Sequence, residues 1–95
     1  KNNLVDKSLS EKEVEKIEQI VDSFIDGSEL ITIKTLKTRK SGIKKNIELV
    51  IEANKNMTIE NSHILCDKIE RRLSETIGNT EVSIHLEPSI ERVPA

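Results

Sequence analysis

The chain has 95 residues, a length that fits one domain with a small core. Fifteen Lys and Arg stand against 17 Asp and Glu, for a formal net charge of −2, and one Phe is the sole aromatic residue. That balance excludes nucleic acid as a partner, and the missing aromatics remove the base-stacking platforms of single-strand binders. The core has to come from Ile, Leu and Val, and a core this thin favours association with a second copy. The single cysteine, Cys66, allows no disulfide framework and fits a reducing compartment. There is no apolar run of about 18 residues and no signal-peptide pattern. The chain opens at Lys1 rather than Met, so a fragment of something longer is expected.

Residues 1–9 are polar and read as a linker from a preceding segment. Ser10-Glu11-Lys12-Glu13 is a capping box. It opens a helix whose apolar stripe is Val14, Ile17, Val21 and Phe24, widened by Ile20 and Ile25 and stopped by Gly27 and Ser28. A first strand is predicted over Leu30–Arg39. Ile31 and Ile33 alternate with Thr32 and Lys34, but Leu36 breaks the phase, and a bulge near Lys34–Thr35 would restore it. Ser41-Gly42 marks the turn of a hairpin. The second strand, Asn46–Ala53, sets Ile47, Leu49, Ile51 and Ala53 on one face and Glu48, Val50 and Glu52 on the other.

After a turn at residues 54–56, Thr58 is the N-cap of a second helix, with Glu60 in its first turn. Ile59, Cys66, Ile69, Leu73 and Ile77 form its expected apolar stripe, with Leu65 and Ser62 beside it, and Gly78 closes it. The last strand, Glu81–Glu87, turns Val82, Ile84 and Leu86 inward and stops at Pro88; residues 89–95 read as a flexible tail. The order is helix, strand, strand, helix, strand. With one apolar face per strand, both helices should cover the same face of a three-stranded sheet, making an α+β, αββαβ two-layer sandwich of residues 10–88.

The second sheet face carries Glu48, Val50, Glu52, Ser83, His85 and Glu87. It either faces water or, given Val50 among charges, meets a symmetry mate. His85 and Glu87 are two apart on a strand, so both leave the same face, and imidazole plus carboxylate at that spacing suits one divalent ion. An exposed strand pair with no ligand accounts for the same spacing. His63 lies early in the second helix with Cys66 and Asp67 three and four residues on, within reach of one ion; Cys66 also reads as a small core residue. No nucleophile–base constellation and no phosphate-cradling glycine loop is present, so no enzyme is expected.

Several stretches together resemble the cytoplasmic C-terminal domain of the cation diffusion facilitator family, which are divalent metal/proton antiporters. Leu4-Val5-Asp6 is similar to the junction after the last transmembrane helix. Leu36–Gly42 and Asn46–Glu52 are similar to the family's hairpin segments. Ser62-His63 resembles an Ala-His at the start of the second helix, and Ser83–Pro88 resembles a strand reading Ile-His-x-Asp/Glu-Pro. The likeness runs from about Leu4 to Pro88.

It implies a ferredoxin-like, metallochaperone-like αββαβ fold. It also implies a V-shaped homodimer on the cytoplasmic face of the membrane, attached to a transmembrane domain. Divalent metal near the dimer cleft, Zn²⁺ foremost, would draw the two arms together and favour transport. The metal ligands carried over are His63, His85 and Glu87. Some members have a histidine in the first strand, at a place that falls near Lys34, and another where this chain has Val50, so the ligand set is reduced. Two rivals share the fold, a dimerisation module that binds no metal and a free-standing metallochaperone.

Overall fold

The computed structural model describes residues 5–6 and 9–90. Its elements in chain order are β1 (Val5–Asp6), α1 (Glu11–Asp22), β2 (Leu30–Ser41), β3 (Lys44–Ala53), α2 (Ile59–Ile77) and β4 (Thr80–Pro88). The expected helix–strand–strand–helix–strand order is present, as a mixed α+β fold. One strand is added: the sheet has four, in the order β1-β2-β3-β4.

The added strand corrects the reading of the N-terminal residues. Val5 and Asp6 pair in parallel with Leu36 and Lys37. Leu9, placed with the linker by its polar neighbours, is buried in the core, and its N–H donates to the buried Thr38 hydroxyl at 3.5 Å. Two residues of strand carry too little periodicity to be read from sequence. Residues 1–4, 7–8 and 91–95 of the expected linker and tail lie outside the described residues. Of that tail, Ser89 donates its N–H to the Ala53 carbonyl at 2.7 Å and so prolongs the β3–β4 edge.

The capping box forms in full. Ser10 accepts from the Glu13 N–H, and Glu13 reaches back to the Ser10 N–H. The helix ends at Asp22, earlier than Gly27. The Ser23 hydroxyl bonds the Ile20 carbonyl at 2.6 Å and takes an acceptor that the helix end would otherwise use. Asp26 then accepts the N–H groups of Ser28 and Glu29, shaping the turn into β2. Phe24 and Ile25 leave the helix but still pack against the core.

β2 and β3 form an antiparallel hairpin closed by Gly42 and Ile43. Gly42, with φ +63°, stands first of the two turn residues, the place where a two-residue hairpin turn of the Gly-first type needs positive φ. The expected bulge is there, as a register shift between Ile33 and Thr35, and a second lies between Leu30 and Thr32. β3 then pairs in parallel with β4 from Lys45↔Thr80 to Ala53↔Pro88.

Both helices cover one sheet face. Val14, Ile17, Ile20 and Val21 from α1 and Ile69 and Leu73 from α2 close over Leu36, Ile47, Leu49 and Ile51. Val82, Ile84 and Leu86 also turn inward, but on the edge strand β4 they stay half-buried.

The α2 stripe needs one correction, since Ile59 is 88% exposed. The inward residues are Leu65, Ile69, Leu73 and Ile77. Each four-residue step turns about 40° on a helix of 3.6 residues per turn, so the contact line winds around α2. Traced back a step it meets Asn61, whose amide reaches Glu29, and it bypasses Ile59.

Candidate functional site

The uncovered sheet face is set by strand alternation. On β3 it presents Asn46, Glu48, Val50 and Glu52. The β4 partners are Glu81, Ser83, His85 and Glu87, in register. The β2 partners are Arg39, Lys37, Thr35 and Thr32. Val50, half-buried, lies between Thr35 and His85 as the one aliphatic side chain in this part of the face.

His85 and Glu87 are brought together as their spacing predicts, with Nε2 and Oε2 3.8 Å apart. Zn²⁺ takes an imidazole nitrogen and a carboxylate oxygen at about 2.0–2.2 Å each, so this gap lies within the span of two such bonds. The residue types and spacing therefore fit a divalent ion. The number is short: among the described residues, no three His, Cys, Asp or Glu side chains converge on one point. One copy of the chain offers two donors here, and water or a second copy has to supply the others.

His63 sits elsewhere. It lies on the first turns of α2, 80% exposed, with its Nε2 3.8 Å from Asp67 Oδ2. Its neighbour Ser62 lines a small cavity with Met57, Leu86 and Glu87 where the start of α2 meets the end of β4. Adjacent helix residues project about 100° apart, so Ser62 lines this cavity while His63 turns to solvent. Cys66 is half-buried, and that burial, helped by the charges of Glu70 and Asp67, pushes its thiol pKa up. A protonated thiol is a poor metal donor.

The place of Lys34 was read only as one lacking a histidine, and its contact with this site was not anticipated. It is the extra residue of the bulge between Ile33, opposite Ile51, and Thr35, opposite Val50. Its ammonium crosses β3 to Glu87 Oε1 at 3.0 Å. The Glu87 carboxylate raises the Lys34 pKa, first by accepting its hydrogen bond and then by its charge, with Glu52 adding to the field. Glu87 thus meets the ammonium at one oxygen and His85 at the other. The break in strand phase at Leu36 was the sequence signal that something unusual stands at residue 34.

Comparison with known proteins agrees with this architecture. Residues 9–89 match the family described as the cytoplasmic domain of cation efflux proteins. The chain is 31% identical over 86 residues to the cation-efflux pump FieF of Yersinia enterocolitica and to protein p34 of Rickettsia rickettsii. In each case the match covers 90% of this chain and 28% of the relative, so the chain spans little more than a quarter of the curated relatives' length.

Among solved structures, the zinc form of CzrB, a proposed zinc transporter, superposes with a TM-score of 0.78 at 32% identity, covering 94% of this chain and 99% of that one. The metal-bound C-terminal domain of the CzcD transporter from Thermotoga maritima does so with a TM-score of 0.72 at 25% identity, covering 87% and 100%. No helix among the described residues is long and apolar enough to cross a membrane. The chain belongs to the cation efflux family, as the cytoplasmic domain of its members.

Proposed function

We propose that this chain is the regulatory and homodimerisation domain on the cytoplasmic face of a divalent-cation efflux transporter. Divalent metal, Zn²⁺ foremost, binds near the cleft between two copies and favours transport by the attached membrane domain. The observation that carries the reading is the family match across residues 9–89, nearly all of the described chain. The zinc form of CzrB and the metal-bound CzcD domain support the metal part. His85 and Glu87 are the first ligands in this reading and His63 the next, with the shell completed by water or the second copy. Half-buried Val50, on an otherwise polar face, supports pairing of two copies.

Calorimetry with Zn²⁺ on the wild type and on His85→Ala tests the ligand assignment. Heat is expected in the first and loss of it in the second, and coincident isotherms would remove His85 from the site. Binding should also weaken on acidification, because the donor imidazole has to be neutral. Light scattering tests the dimer: particles of only 10.8 kDa at micromolar concentration would overturn it. A second reading, a dimeriser that binds no metal, is favoured by the Lys34 ammonium already held on Glu87. A stable dimer giving no heat with Zn²⁺ would establish that one.

A further inference from the structure

We propose that Lys34 is a built-in cation of this face, competing with a divalent metal ion for Glu87. The inference rests on the metal reading above and deepens it, because it says what an incoming ion has to displace. Lys34 projects from a bulge, free of an opposite residue on β3, so its side chain is spare for reaching across that strand. Its ammonium meets Glu87 Oε1 at 3.0 Å, while His85 Nε2 stands 3.8 Å from the other oxygen. Glu52 lies in register between the two outer strands, opposite Thr32 on one side and Glu87 on the other. The ammonium of Lys34, the carboxylates of Glu52 and Glu87 and the His85 imidazole thus lie together at this end of the face, and Lys55 lines the small cavity that Glu87 also borders.

With the ammonium in place, a divalent ion approaching His85 meets a like charge 3.0 Å from the Glu87 carboxylate, and binding by that oxygen has to break the ion pair. With the ammonium gone, the Glu87 carboxylate beside the His85 imidazole loses its paired counter-charge, with Glu52 next to it in register. Its attraction for an incoming cation is then stronger. The pair also gives Glu87 a counter-charge when no metal is bound, so the face keeps its arrangement in either state. Metal sensitivity is thus set by residue 34 rather than by the donors alone.

The experiment is Zn²⁺ calorimetry on the isolated chain in four forms: wild type, Lys34→Leu, Lys34→Arg and Lys34→Leu with Glu87→Gln. Lys34→Leu leaves an apolar side chain and removes the charge. It is expected to bind Zn²⁺ about five- to tenfold more tightly than wild type, the scale of a lost surface ion pair together with a lost like-charge repulsion. Lys34→Arg should stay at wild-type affinity, and the double variant should lose the gain. Should Lys34→Leu fail to fold, Lys34→Gln carries the same expectation. Equal affinity of wild type and Lys34→Leu, with His85→Ala still abolishing binding, overturns the competition and leaves the metal reading standing. Absence of Zn²⁺ binding in every form overturns both.

Discussion

The two faces of β3 are built on different principles, although alternate residues of one ten-residue strand make both. On the inner face Ile47, Leu49 and Ile51 are at most 1% exposed, closed over by α1 and α2. On the outer face Glu48 is exposed and Val50 and Glu52 are half-buried, with organisation coming from charges that cross strands. The inner face is complete within one chain and contributes most of the stability. The outer face is weakly held, so it tolerates change without unfolding the domain. That is the property expected of a surface whose occupant comes and goes.

The sharpest way to break this contrast is to empty the inner face. Ile51→Ala should cost about 2–5 kcal/mol, from lost transfer energy plus the cavity left behind. That is a large part of the roughly 5–10 kcal/mol such a domain has, and urea denaturation would measure it.

A middle-sized effect lies at the seam, where the Lys45 ammonium bonds Glu13 at 2.7 Å and reaches the Ile77 carbonyl, joining β3 to both helices. Lys45→Met should cost about 1 kcal/mol, since the pair is only partly screened from water. The same pair makes a pH prediction. The Lys45 hydrogen bond, with help from Ser10, holds the Glu13 carboxyl below its ordinary pKa of 4.5. The unfolded chain then binds the proton more readily than the folded one. The stabilisation is present above that ordinary value and is lost as pH falls through the depressed one. Acid denaturation of Lys45→Met should therefore be shallower than wild type below about pH 4.5.

The smallest effect belongs to the outer face. Glu48→Ala should stay within about 0.5 kcal/mol. A loss approaching that of Ile51→Ala would mean that the outer face is packed against something in the isolated chain.

What could be read from sequence follows the same division. The period-two alternation of β3, the capping box of α1 and the glycine ending α2 are local signals, and each marks its element within a few residues. The bulge at Lys34 was legible because Leu36 is out of phase with Ile31 and Ile33. The pairing of His85 with Glu87 was legible because two residues on one strand share a face. The Lys34–Glu87 contact was not, since 53 positions separate the partners and only the strand order brings them together. Val5–Asp6 was missed because two residues show no period, and Leu9 because its neighbours are polar. Ile59 was misread because a stripe projected on a straight helix ignores how the contact line winds around α2.

The connections between the strands also order events in time. β2 and β3 are joined by two turn residues, Gly42 and Ile43, whereas residues 54–79 separate β3 from β4. Closing the short loop costs little entropy, so the hairpin is the natural early structure. The parallel partner docks only once α2 has formed and folded back. Of β2, β3 and β4, β4 is then the last to arrive and the first to leave, with its amides expected to exchange with solvent sooner than those of β3. Since β4 carries both His85 and Glu87, anything that grips those two side chains acts after the folding barrier has been crossed. It should lengthen the lifetime of the folded domain while hardly changing how quickly the domain forms.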